Sequence, residues 1–394
     1  MTMTLESLQG RVGDVDSHEM IPTPRFPEFF GKAGQRFLDL NSAMLQRLEQ
    51  AFPEDENRIT KDRPDKVEIT ETTVWENKGV GAPSHADMDR RPMVLDAMGI
   101  KRQLIFPTFG LFALSNALGG GFNGFAVATK EQIANGRDSL DAYNHWAGRL
   151  TQKYPDRLRI VGVLEASEPG LTPETLLKKT EELIATGVKA IMITAGSPPA
   201  GLSPADPRLD AFYAAFTKSN VALVFHPPSG AGFRKSDAWG IVPGVFQDLS
   251  FPVALHMAEE TFLCAMTLGG VFERHPSLRV GFIETGGSWI GPLSERMDFG
   301  VLDSPKQNNL ISRKPSEYLA TNVRVSVLLG EPVEIWLKRY PFLKSVYCYS
   351  SDYPHLEGKP WSMKKFYERI APFGDDVIEK FFVTNSLLVL PAAA

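Results

Sequence analysis

The stretch VGDVDSHEM, residues 12–20, places Asp14, Asp16 and His18 at every second position of an otherwise apolar run. Alternate side chains of a β-strand share a face, so all three point the same way if this run is a strand. Two carboxylates and an imidazole facing a protein interior are costly unless something partners them. A metal ion is one such partner; an arginine or a solvated strand edge is another. What decides between them is where other strands end, and in what residues.

Seven further short runs, rich in β-branched and aromatic residues, follow the first. They are RQLIFPT (102–108), RIVGVLE (159–165), VKAIMIT (188–194), VALVFH (221–226), RVGFIE (279–284), NVRVSV (322–327) and SVYCYSSD (345–352). Most are almost continuously apolar, as strands buried on both faces of a parallel sheet are. Helical patterns lie between many of them. In TPETLLKKTEELIATG, Thr172 is placed to cap, Pro173 suits the first helical position, and Gly187 follows the end. AEETFLCAMTLGGVFERHP reads as a helix that stops before Pro276. Eight strands alternating with helices predict the α/β class and a (β/α)8 TIM barrel as a single domain over 1–394. Residues 21–92 interrupt the rhythm and are expected to be a long insertion after strand one. It would be partly helical near RFLDLNSAMLQRLEQAF and would serve as a lid, a pocket wall or a dimerisation segment.

Composition narrows the function classes. The chain has 394 residues, 43% hydrophobic and 23% charged, with a formal net charge of −5. Acids and bases are interspersed without a basic stripe, which argues against nucleic acid as a partner. No apolar run is long enough to span a bilayer, and MTMTLESLQG lacks the pattern of a secretory signal. Two cysteines in apolar surroundings, Cys264 and Cys348, read as reduced thiols of a cytoplasmic protein. No G-x-G-x-x-G follows the first strand, so a dinucleotide site is not indicated.

Catalytic groups of such a barrel sit at the C-terminal ends of its strands. There the sequence puts Asp16 and His18 (strand one), His226 (five), Glu284 (six) and Asp352 (eight). Two imidazoles with carboxylates form a mixed nitrogen and oxygen site suited to zinc, and also to manganese or iron.

The texts DVDSHEM, VFHPPSG and YSSDYPHLEG, with GGVFERHPSLRVGFIETGGSWIGPLSERMD, resemble the amidohydrolase superfamily. The resemblance is to its branch of aminocarboxymuconate-semialdehyde and hydroxybenzoate decarboxylases, and it covers nearly the whole chain outside 21–92. It implies that Asp16, His18, His226 and Asp352 hold one divalent metal, zinc before manganese or iron. It also implies that Asp352 is the general base. Two departures stand out: the strand-one pair is Asp-x-His, and Glu284 stands where the decarboxylases carry a histidine. Glu284 would orient a water or shuttle a proton, or else hold a histidine ligand from behind. His256 would be a proton donor at the pocket mouth or simply a helix-start histidine. Phe109 and Trp289 would line the pocket or pack in the core, and His355 would contact substrate or brace its loop.

The resulting expectation is a metal-dependent hydrolase, acting through an activated water on a C–C or C–N bond of a small, aromatic or carbonyl-bearing compound. The alternatives are a non-oxidative decarboxylase using the same site and a metal-free binding barrel. A homodimer is expected on the strength of the insertion.

Overall fold

In the computed structural model the described residues are 3–51, 54–120, 127–227, 256–303 and 309–391. The expected strand runs pair in chain order, all parallel. β1 (Val12–Asp14) pairs with β2 (Ile100–Ile105), and β2 with β3 (Leu158–Ile160). β4 (Gly162–Val163) then pairs with β5 (Ala190–Met192), followed in order by β6 (Ala222–Phe225), β7 (Val280–Phe282), β8 (Val323–Ser326) and β9 (Tyr347–Cys348). The third expected run is thus two short strands, β3 bonded to one neighbour and β4 to the other. The ends of the series also meet. Val15 N–H donates to Tyr349 C=O (3.2 Å), Asp352 N–H to Asp16 C=O (3.0 Å) and His18 N–H to Tyr353 C=O (2.7 Å). This is the (β/α)8 architecture that the alternation predicted.

The apolar runs follow from this topology. Leu104, Ile160, Ile191, Leu223, Val280 and Val325 are fully buried, because helices cover the outside of a parallel barrel and side chains fill its inside. Helix Pro173–Ala185 begins as expected, with Thr172 accepting from Thr175 N–H in a reciprocal capping box. The long pattern ahead of Pro276 is two helices, Met257–Leu268 and Val271–Arg274. Gly270 separates them at φ 74°, a conformation open to glycine and unfavourable to most other residues. Cys264 and Cys348 are both free thiols.

The segment 21–92 contributes α1 (Phe26–Leu40) and α2 (Ser42–Ala51). The first of these packs onto α3 (Phe109–Ala117) and α4 (Lys130–Lys153), which follow β2. Its anchor is an aromatic cluster. Phe109 meets Phe30 (centroids 4.0 Å), Phe26 (4.5 Å) and Phe37 (5.5 Å), while Phe30 also meets Trp146 (5.9 Å). Phe109 is 0% exposed. Of its two expected places, pocket wall or core, these contacts agree with the core: it packs the insertion against the barrel.

At the opposite end of the barrel, arginines near the strand starts reach inward to one stretch of backbone. Arg102, Arg159, Arg279 and Arg324 donate to the carbonyls of Leu390 (2.9 Å), Pro391 (2.9 Å), Leu388 (3.1 Å) and Asn385 (3.0 Å). Residues 385–391 therefore plug the barrel floor. β1 comes so close that a Cβ on Gly13 would lie 2.0 Å from Ser386 Oγ. Among the described residues no helix is long and apolar enough to cross a membrane.

Candidate metal centre

Five side chains from distant parts of the chain converge at the C-terminal ends of the strands. His18 Nε2 lies 3.6 Å from Asp16 Oδ1, 3.6 Å from Glu284 Oε2 and 3.4 Å from Asp352 Oδ1. His226 Nε2 lies 3.5 Å from Asp16 Oδ1 and 2.7 Å from Glu284 Oε2. All five atoms are shielded from water, and none makes a well-formed hydrogen bond. Orphaned buried polar atoms are rare and call for an explanation. A divalent ion supplies one, because ligand bonds of ~2.1 Å put neighbouring donor atoms about 3.0–3.4 Å apart. The residues present fit such an ion. His355 extends the cluster: its Nδ1 lies 2.9 Å from Asp352 Oδ1, and its ring stacks on His18 with centroids 3.9 Å apart.

The backbone shows why these side chains face one another. Glu284, just past β7, has φ 60°, and Asp352, past β9, has φ 53°. Left-handed backbone is uncommon outside glycine and costs of order 1–3 kcal/mol, and such strain gathers at functional sites. His226 follows β6 directly, and its Nδ1 sits 2.7 Å from Pro227 C=O. Donation there leaves the Nε2 lone pair facing the cluster. Phe106, at the end of β2, stacks on His226 with centroids 4.2 Å apart and is fully buried.

Beneath the cluster Asp14 is fully buried and accepts four hydrogen bonds. They come from Gln103 Nε2 (2.8 Å), Ser351 N–H (2.9 Å), Ser351 Oγ (2.6 Å) and Asp16 N–H (3.3 Å). It ties strand one to the Asp352 turn. Burial raises its carboxyl to about 7 in spite of these donors. Glu19, on the other face, is buried and accepts from Ile21, Thr108 and Phe109 N–H.

Electrostatics in the cluster are dominated by burial and by mutual charge. Burial pushes Asp16 up to about 6. Burial alone would lower both histidines, but the carboxylates outweigh it and hold His18 at about 9 and His226 at about 10. Burial would raise Glu284, yet the imidazoles of His226 and His18 keep it well below the usual carboxylate range. Its side chain is 25% exposed, although Oε2 itself faces inward. Without a metal, then, the histidines are cations paired to carboxylates.

The other expected site residues divide. His256 stands apart from the donor atoms. It lies 3.6 Å from Glu260, half-stacked on Trp289 with centroids 6.1 Å apart, and burial lowers its basicity. Trp289 is 4% exposed and donates Nε1–H to Gly286 C=O (2.8 Å). Pro228–Gly230 of the VFHPPSG text lie outside the described residues. Sequence reasoning overlooked Phe106, Gln103 and Arg91. Their only signal is proximity to a strand end or start, and their partners are remote in sequence.

The amidohydrolase family model matches residues 124–391. Solved structures of similar fold include an amidohydrolase from Mycobacterium avium subsp. paratuberculosis, at TM-score 0.64 and 21% identity over 96% of this chain and 99% of that one. A 5-carboxyvanillate decarboxylase from Novosphingobium aromaticivorans, complexed with manganese and 4-hydroxy-3-methoxy-5-nitrobenzoic acid, scores 0.56 at 17% identity over 99% of each chain. A 4-oxalomesaconate hydratase from Rhodopseudomonas palustris scores 0.51 at 12% identity over 97% and 96%.

Proposed function

The chain belongs to the amidohydrolase family of metal-dependent enzymes, and from that premise we propose a hydrolase of a small carbonyl-bearing compound that works through one divalent ion. The observation that carries this is the set of orphaned donor atoms on Asp16, His18, His226, Glu284 and Asp352: the first four form one compact group, and Asp352 joins His18, Glu284 and His355 in a second that shares two of them. Glu284 joins the ligands in this reading, which makes three carboxylates against two imidazoles. An oxygen-rich set favours manganese or iron over the zinc expected from sequence.

When bound, the ion polarises a substrate oxygen and makes a water acidic enough to attack. The protein's own groups handle the proton. Asp352 accepts it at a carboxylate oxygen, and His355 Nδ1, 2.9 Å away, is placed to relay it. The outer nitrogen of the half-buried His355 ring then protonates the leaving group. The water's O–H bond and the substrate's C–C or C–N bond break, and one C–O and one X–H bond form.

Decarboxylation is the second reading, favoured by the manganese-bound decarboxylase of similar fold. Candidate acids incubated with manganese-loaded protein in ¹⁸O-water separate the two. Label in the product supports hydrolysis; carbon dioxide release with no label supports decarboxylation and overturns the first reading.

A further inference from the structure

Arg91 lies at the end of the inserted segment, is 0% exposed, and opens the helix Arg91–Met98. Its acceptors are all neutral. They are His18 C=O (2.8 Å), Ser84 C=O (2.9 Å) and Gln103 Oε1 (3.1 Å). Its guanidinium carbon also sits 4.9 Å from the centre of the Tyr353 ring. One buried cation therefore touches strand one at a ligand residue, the side chain beneath Asp14, the insertion, and the residue after Asp352.

The surrounding segment repeats the pattern. Tyr353 OH donates to Pro83 C=O, Gly79 N–H to Pro354 C=O (2.9 Å), Lys78 Nζ to Gly358 C=O (2.8 Å) and Met20 N–H to His85 C=O (2.7 Å). Residues 78–91 thus bridge the turn that bears His18 and the turn that bears Asp352. Ser84, which accepts from Arg91, is itself left-handed at φ 58°. An unpaired buried cation is costly, and here it faces the carboxylates of Asp14 and Glu19 as well as Asp65.

We propose that Arg91 is a positioning residue of the metal centre. It fixes the separation of the His18 and Asp352 turns through His18 C=O, Ser84 C=O, Gln103 and the Tyr353 ring. The inserted segment is then a clamp on the site rather than a lid over it. The inference rests on the metal-site reading above.

The test uses chelator-treated full-length protein titrated with manganese(II) by calorimetry, with electron paramagnetic resonance of the bound ion and melting of the metal-free protein. Arg91→Lys keeps the charge but cannot span three acceptors. Outer partners of metal ligands typically carry 10–100-fold of affinity, so manganese binding should weaken about tenfold or more and the resonance spectrum should change. Tyr353→Phe, which removes only the hydroxyl on Pro83, should move both readouts the same way by less, and it decides the matter if Arg91→Lys does not fold. A merely structural role would lower the melting temperature and leave affinity and spectrum of the folded protein unchanged, and that result overturns the inference. Wild-type protein that takes up no divalent ion overturns the metal reading itself, and this inference with it.

Discussion

His226 Nε2 and Glu284 Oε2 lie 2.7 Å apart, closer than the distances of His18 Nε2 to Asp16, Glu284 and Asp352 or of His226 Nε2 to Asp16. A carboxylate so close to an imidazole is either its ion-pair partner or its neighbour on a metal. Glu284→Gln removes the charge at nearly constant shape and distinguishes these. If the two are co-ligands, manganese affinity should fall about 10–100-fold, by analogy with other losses around a metal. Calorimetry on the metal-free variant measures it, and unchanged affinity rules Glu284 out as a ligand.

Asp352→Asn should abolish turnover, by at least the 10²–10⁴-fold expected of a general base, while the protein stays folded. Asparagine tolerates the left-handed backbone at φ 53° about as well as aspartate does. Turnover with circular dichroism is the measurement; near-normal activity excludes Asp352 as the base.

The histidine protonation predicts a pH signature. Without metal, His18 holds its proton to about pH 9 and His226 to about pH 10, both above the ordinary value near 6.5. A raised histidine stabilises the metal-free fold fully below pH 6.5, and that contribution is lost as pH rises through 9 and 10. Metal binds only the neutral rings, so loading at pH 7 should release up to two protons, and affinity should climb with pH. Calorimetry in buffers of different ionisation enthalpy counts those protons. Binding with no proton release contradicts the assignment of both rings as ligands.

Phe109→Ala should lower stability by about 3–5 kcal/mol, the usual cost of emptying a buried phenylalanine site. Its effect on KM should be small, because the ring packs Phe26, Phe30 and Phe37 rather than substrate. Urea unfolding and steady-state kinetics test the two halves. A KM change without loss of stability would return Phe109 to the pocket wall.

The barrel was legible because parallel strands buried on both faces leave continuous apolar runs, and turn residues punctuate them. The break at Gly270 was less so: an apolar pattern continues across the glycine, and only the backbone angle ends the helix. Asp16, His18, His226 and Asp352 were found because strand ends point to one mouth. Glu284 was noticed for the same reason, but its position among the donor atoms depends on a left-handed turn that composition does not announce. The contacts of Arg91 were illegible, and those of Phe109 only narrowed two open readings to one. Both meet residues far away in sequence, His18 for Arg91 and Phe26, Phe30 and Phe37 for Phe109, and an arginine opening a helix or a phenylalanine after a strand looks the same whichever neighbour it meets.

The arginine-plugged floor bears on how the molecule is made. Arg102 and Arg159 emerge from the ribosome more than two hundred residues before Leu390 and Pro391, the carbonyls that they bind. Until translation delivers residues 385–391, the nascent barrel carries guanidinium groups at its base with no acceptors from that stretch, and β1 faces an empty space in place of Ser386. Early domains of many proteins fold while synthesis continues. This one completes its core only after its last strand and the segment beyond it have left the tunnel, so the barrel floor closes last.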